Sequence, residues 1–371
     1  MMGRIRPLTA GDVPAIAALF HRVFRHSDRQ PPAGLVEYLR HLYLEAAACA
    51  EDIPSLVHEG DDGGISGFIG RHVLPMRLGD RPLRAALLST IMADERAGDP
   101  LAAAKILKAA LNGPQDFSFS ETASEVSLRM WKHAGAVALP GHSMEWFRII
   151  RPATSAVEAS ARRYPVLRAL SPVSSRVDDV FRRRIVAERP RWLGLPKAQS
   201  GRAGLSVREI DATEFAGLFR LMTERFPLRP DWSAEALDTT LREAMEKPLF
   251  GRPVLAAAID RGGQAIGGFF YHLGPHGTAR ATQLLAAPGK EEAVLDALIT
   301  HAAEAGASAV RGRTQPFLMG AMLGRRIGFL NSASTVLHCR DPEITAAIHK
   351  GDAFLNGLAG EQWSRLIGDF G

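Results

Sequence analysis

"IRPLTAGDVPAIAALFHRVF" (Ile5–Phe24) returns about two hundred residues later as "VREIDATEFAGLFRLMTERF" (207–226). At a shift of 202, Arg6 falls on Arg208, Ala10 on Ala212, Asp12 on Glu214, Ile16 on Leu218 and Phe24 on Phe226. A second match, at a shift of 200, lays "GFIGRHVL" (67–74) on "GGFFYHLG" (267–274). It pairs Gly67 with Gly267 and His72 with His272. Self-similarity at a near-constant offset signals a duplicated unit, so one reading of the fold serves both halves.

Working outward, each half repeats one order of elements. Arg4–Leu8 reads as a short strand. Asp12–Arg25 reads as a helix, with Val13, Ile16, Ala17, Leu19, Phe20, Val23 and Phe24 at helical spacing. A second helix is expected over Pro31–Ala48 and a strand over Ile53–Glu59. The Asp61–Gly64 turn then opens the strands Ile65–Leu78 and Leu83–Ala93. A helix at Leu101–Leu111, a strand at Asp116–Ser120, a helix at Ser124–His133 and a last strand pair within Val137–Ile150 complete the half. The second half repeats this with a helix at Ala234–Glu246, strands at Arg252–Ile259, Ala265–Leu273 and Thr278–Ala286, and a helix at Glu291–Gly306. A strand at Ala309–Arg311, a helix at Gly320–Ile327 and a strand at Phe329–Cys339 follow. The fold class is mixed α/β, α+β-like. The expected division is 1–152, a helical linker 153–204, and 205–371.

The totals agree with a two-domain globular protein: 371 residues, 46% hydrophobic and 23% charged. No apolar run nears the ~18 residues that span a bilayer, and no signal segment is evident. Cys49 and Cys339 are isolated, which gives neither a disulfide framework nor a metal site and fits the cytoplasm. The net charge of +5 is local. Residues 153–200 hold ten basic residues (Arg162, Arg163, Arg168, Arg176, Arg182, Arg183, Arg184, Arg189, Arg191, Lys197) against four acidic ones. A solvated helical face, or attraction to an anionic ligand or membrane surface, accounts for it. Without interleaved aromatics or a reading motif, no DNA partner is expected.

"ERAGDPLAAAKIL" (95–107) supplies the candidate chemistry. A strand, a small-residue turn and a helix N-terminus together form an anion-binding device. Arg96 offers a cation, Gly98 freedom, and Ala102, Ala103 and Ala104 a helix start without bulk. The other reading is an ordinary strand-to-helix turn with Asp99 as N-cap and Pro100 at the first position.

With "RMWKHAGAV" (129–137) and "LGRRIGF" (323–329), these pieces resemble the GCN5-related N-acetyltransferase superfamily in a tandem arrangement. The resemblance implies an acyltransferase using acetyl-CoA or another acyl-CoA as donor and a small-molecule, peptide or glycan amine as acceptor. It places the donor along Ser89, Thr90, Ile91 and Met92, and its pyrophosphate at Arg96, Ala97, Gly98, Leu101, Ala102 and Ala103. It also implies that the second copy, whose turn is only "APGKEE" (287–292), has lost donor binding and shapes the acceptor site. The family's frequent acid is a tyrosine four residues before the glycine that ends the last helix. Here those positions are Trp131 and Gly324, and neither can donate a phenolic proton. Glu121 and His72 remain as candidate catalytic groups, each with a structural alternative: a residue beside a helix cap and a strand histidine. Two other functions stay open, a non-catalytic scaffold with a decayed site and an aminoacyl-tRNA-dependent transferase. Oligomeric state, homodimer included, is open too.

Overall fold

Strand pairing positions the site. The structure, a computed structural model, describes residues 3–161, Asp178 and 204–370, apart from 95, 97, 98, 276, 326 and 367–369. The first half runs β1 (Arg4–Pro7), α1 (Val13–Arg25), α2 (Ala33–Arg40), β2 (Leu56–Glu59), β3 (Ile65–Leu78), β4 (Arg81–Ala93), α3 (Ala102–Leu111), β5 (Phe117–Ala123), α4 (Glu125–His133), β6 (Val137–Ala138) and β7 (Met144–Ile149). β1 to β4 pair antiparallel in order. β4 and β5 pair parallel, which requires the crossover that α3 provides. Phe20, Leu39 and Tyr43 pack with Phe68 and Met92 on one face of this sheet, while Ile106 and Trp131 of α3 and α4 pack with Ile69 and Leu88 on the other.

The second half supplies β8 (Ser206–Glu209), β9 (Leu228–Pro230), β10 (Arg252–Ile259), β11 (Ala265–Leu273), β12 (Thr278–Ala286), β13 (Ala309–Arg313), β14 (Gly328–Asn331) and β15 (Ser334–Cys339). The two sheets are ordered β1-β2-β3-β4-β5-β15-β6 and β14-β7-β13-β12-β11-β10-β8, with β9 added to the end of β3. Each half therefore gives its last strand to the other half's sheet. This corrects the expected strand pair in Val137–Ile150: β6 and β7 lie in different sheets, and the strand expected over Phe329–Cys339 divides the same way into β14 and β15. The reason is shape. Trp146 of β7 is fully buried and sits opposite Gly312 of β13, where a Cβ would lie 3.2 Å from the indole nitrogen. β5 offers Ser118, Phe119 and Ser120 along β15 and has no such gap.

The segments matched at the near-constant shift carry similar local contacts. Arg6 forms a bidentate pair with Asp12 at 2.7 and 2.8 Å, and Arg208 does the same with Glu214 at 2.9 and 3.0 Å. Gly67 and Gly267 each let the crossover helix approach the sheet: a Cβ would lie 3.2 Å from Ile106 at the first and 2.6 Å from Val294 at the second. His72 and His272 are both buried, and burial pushes both imidazoles down to about 4.

Smaller differences follow local chemistry. The expected helix Pro31–Ala48 is α2 followed by a π-helical turn, His41–Glu45. β5 extends to Ala123, three residues past the expected end. Past β7, the helix Pro152–Ala161 starts on the Asp178 carboxylate, which accepts from Ala153 and Thr154 N–H at 2.7 and 2.8 Å. The basic run from Arg162 to Lys197 lies outside the described residues. One apolar core joins the halves. It contains Phe20 and Leu39, Phe215 and Phe219 of the helix Ala212–Thr223, and Phe354, Leu358 and Trp363 of the C-terminal tail.

Candidate functional site

β4 and β5 share three partner pairs, ending at Leu87–Phe119. Beyond them β4 runs on to Ala93 and β5 to Ala123 without pairing to each other. A bulge accompanies the split. Between the pairs Phe68–Met92 and Gly70–Ser89, β4 carries one residue more than β3. Thr90 stands there at φ 53°, a left-handed backbone that costs a β-branched residue energy. Tyr43, on the π-helical turn, holds it: its hydroxyl lies 2.6 Å from Thr90 Oγ1 and 3.1 Å from Ser89 Oγ. Gly70 makes room for that ring, since a Cβ there would run into it. The bulge turns β4 away from β5, and a slot opens through the sheet.

Each mouth of the slot is a cavity. On the α3/α4 side about 80 Å³ is lined by Leu88, Ile91, Ser120, Ser127 and Trp131. On the α1 side about 280 Å³ is lined by Phe20, Phe24, His72, Leu87, Glu361 and Trp363. The two share Phe24, Ser89, Thr90 and Thr122. Of the expected donor residues, Thr90 lines both mouths and Ile91 the smaller one. Met92 is buried in the core beneath the α1 face.

Glu121 and Glu361 form a buried carboxyl pair at the slot's edge. Glu361 accepts from Ser120 Oγ at 2.8 Å, the Glu121 amide at 2.9 Å and Thr122 Oγ1 at 2.5 Å. The Glu361 amide donates in return to the Glu121 carboxylate. Gly360 is required there, because a Cβ would collide with that carboxylate. Burial pushes Glu121 up to about 7, with Arg313 opposing the rise, and burial raises Glu361 as well. Arg313 Nη2 is spent on the carbonyl of Glu121 at 2.6 Å.

A raised folded-state value means that the proton on Glu121 contributes stability at low pH. That contribution is lost as pH rises from near 4.5 through about 7. Glu121→Gln is therefore expected to raise the thermal midpoint relative to wild type at pH 8 and leave it nearly unchanged at pH 5, as followed by circular dichroism. Equal shifts at both values would show that no buried carboxyl titrates here.

His72 lines the larger cavity. Its Nε2 donates to the Leu42 carbonyl at 3.1 Å, so the neutral ring keeps its lone pair on Nδ1, which has no partner among the described residues. Its ring packs on Tyr43 and meets Trp363 edge-on. The slot thus brings both expected catalytic candidates to one region, His72 at the cavity wall and Glu121 behind Glu361. Ser124 caps α4, accepting from the Ser127 N–H, while Thr122 binds Glu361.

The turn before α3 is less open than its composition suggests. Arg96 is exposed and pairs with Asp28 at 3.0 Å. Asp99 accepts the Leu101 N–H at 3.0 Å and binds Lys105 at 2.7 Å. Leu101 takes the N-cap position by backbone geometry, with Ala102 buried and Ala103 half-buried behind it. Ala97 and Gly98 lie outside the described residues. Trp131 is buried and lines the smaller cavity.

The second sheet opens in the same way and is then filled. β12 and β13 pair as far as Ala281–Gly312, and Thr282 forms the bulge. The tail closes this opening: Leu358 N–H donates to Gln283 at 3.0 Å, and Asn356 Nδ2 donates to the Thr314 carbonyl at 3.1 Å. Gly357 fits only as glycine, at φ 66° and with Thr282 O lying 2.8 Å from where a Cβ would be. Sequence reading missed Tyr43, Glu361 and Trp363. Nothing in "GEQWSRL" (360–366) marks it as part of a site 240 residues away.

No protein-family model matches the chain, and no curated protein matches it in sequence. Among solved structures it is similar to a conserved protein of unknown function from Enterococcus faecalis V583, described as a probable N-acyltransferase. The TM-score is 0.57 at 10% identity, over 91% of this chain and 72% of that one. It is also similar to a GCN5-related N-acetyltransferase from Kribbella flavida, with TM-score 0.55 at 13% identity, over 93% and 74% of the two chains. With its mixed α/β layers and a parallel β4–β5 pair that splits at a bulge, the chain has the fold of the GCN5-related N-acetyltransferases.

Proposed function

We propose that the protein is an N-acyltransferase that moves an acyl group, acetyl by default, from acyl-CoA to the amine of a small acceptor. The observation that carries the reading is the slot between β4 and β5. From Leu88 to Met92 the β4 backbone has lost its β5 partner, and its main-chain groups match the amides of an extended pantetheine arm. Ser127 Oγ, buried beside the slot and without a partner among the described residues, is a spare hydroxyl next to Trp131, which has none. Residues 1–152 supply this donor slot. The half from 205 to 371 has its own opening plugged and supplies the tail that shapes the acceptor side.

Bound acyl-CoA would supply an activated thioester. The chain's own residues supply position and proton transfer. Thr90 and Ser89, fixed by Tyr43, set the β4 edge on which the donor lies. The Glu121–Glu361 pair, both members raised by burial and Glu121 to about 7, receives the proton that an ammonium must lose before it attacks. The pair titrates as a unit, so the proton belongs to both carboxyls.

Calorimetric titration of the whole chain with acetyl-CoA, octanoyl-CoA and CoA tests the reading. Saturable binding is expected, and absence of binding by all three would leave the non-catalytic scaffold as the better account. Asp99 adds a signed test. Its charge occupies the helix N-terminus where a pyrophosphate would sit, so Asp99→Ala should tighten CoA binding about two- to fivefold. The same change should slightly lower thermal stability, because it frees the Leu101 N–H and Lys105. Weaker binding by this variant would place the phosphates elsewhere.

A further inference from the structure

The larger cavity has a chemical character of its own. Its walls are aromatic and aliphatic: Phe20 and Phe24 from α1, Leu87 from β4, and Trp363 and Leu366 from the tail. Phe24 stands 41% exposed at the mouth although it is a large apolar residue. Arg25 at the rim is engaged by the carbonyls of Phe370 and Leu366 and by the face of Phe20, so its guanidinium is turned to the protein. Inside, the polar acceptor is the Glu361 carboxyl. A carboxylate offers about four acceptor positions, and β5 occupies three of those on Glu361. Glu361 and Glu121 make no ion pair with any side chain among the described residues. The nearest guanidinium, Arg313, bonds to main-chain and hydroxyl oxygens instead. A buried carboxyl pair, influenced by Arg313 but in no ion pair among the described residues, thus borders an apolar cavity with one acceptor position to spare.

We infer that this cavity takes a small primary amine with an aromatic or alkyl body, the ammonium on Glu361 and the body against Phe20, Phe24 and Trp363. The inference rests on the acyl-transfer reading for its consequence, acylation of that amine, but not for the binding itself. The volume of about 280 Å³ equals that of roughly nine waters at about 30 Å³ each, room enough for a compact amine such as an arylethylamine. Sugars and polyamines fit the charge but not the walls, because burying hydroxyls or further ammonium groups against Phe and Trp leaves them without partners.

The test is equilibrium binding to the whole chain, by calorimetry, of 2-phenylethylamine, 2-phenylethanol, glucosamine and spermidine. 2-Phenylethylamine is expected to bind at least tenfold more tightly than the other three. In Glu361→Gln, checked for native circular dichroism, the amine and the alcohol should become equal. The wild-type comparison of amine with alcohol stands even if that variant does not fold. Equal binding of amine and alcohol to wild type, or tighter binding of glucosamine or spermidine, would overturn the proposal. So would displacement of 2-phenylethylamine by octanoyl-CoA but not by acetyl-CoA, which would make the cavity an acyl-chain site. Amine binding in a protein that binds no CoA ester would leave the amine site standing and remove the transferase.

Discussion

Expressed apart, residues 1–160 and 204–371 are expected to be insoluble or molten, and expressed together to copurify as a native complex. The first fragment lacks β15, which lies between β5 and β6 and buries Val336 and Leu337 in two separate cores. Without it, both edges of β5 beyond Phe119 are unpaired, an invitation to aggregation. The second fragment lacks β7 and leaves β13 and β14 without their shared partner. The remedy that domain-swapped proteins usually have, folding their own strand back, is closed by volume. β7 would carry Trp146 into a position shaped for Val336 or Leu337, and overpacking of this size strains the core. The same mismatch predicts complementation, since each fragment holds the strand that fits the other. Tryptophan fluorescence and size exclusion of the two fragments, alone and mixed from denaturant, check this. A soluble, cooperatively melting 1–160 fragment would show that the exchange is dispensable.

This prediction marks where the sequence stops being legible. The repeat at a shift of 202 is local: Arg6 to Asp12 and Arg208 to Glu214 are contacts within six residues, and local order writes them twice. Helical period exposes α1, and the Gly79–Asp80 turn exposes the β3–β4 hairpin, for the same reason. The exchange of β7 and β15 depends on which strand has a tryptophan and which neighbour has a glycine, Trp146 and Gly312, 166 residues apart. No periodicity carries that. The site divides likewise. Glu121 and His72 could be proposed because they sit on elements whose order was readable. Tyr43 was hidden because the π-helical turn that aims it at Thr90 reads as plain helix. Glu361 was hidden because the tail has no regular pattern and reaches the site only by packing across both halves.

Ending the chain at Gly351 is expected to abolish folding, not merely activity. The segment removed buries Phe354, Leu355, Leu358 and Trp363. Truncating one buried Phe, Trp or Leu to alanine costs about 2 to 5 kcal/mol. Losing four together matches or exceeds the roughly 5 to 15 kcal/mol that holds a whole domain folded. The damage reaches both sheets. Phe354 stacks on Phe317 and meets Phe219 and Phe226, all from the second half. Glu361 and Trp363 close the first half's cavity. With the tail gone, Gln283 loses the Leu358 amide, and Ser120 and Thr122 lose their carboxylate acceptor. A graded version separates stability from function. Trp363→Ala removes one wall of the larger cavity and should lower stability by about 3 to 5 kcal/mol while the fold survives. On the proposed reading it should weaken 2-phenylethylamine far more than acetyl-CoA, because Trp363 lines the mouth on the α1 side and not the one beside Trp131. Chemical denaturation measures the first effect and paired titrations the second. A truncated chain that melts cooperatively near the wild-type midpoint would show the tail to be an appendage, and the shared core of the two halves would then have to be drawn without it.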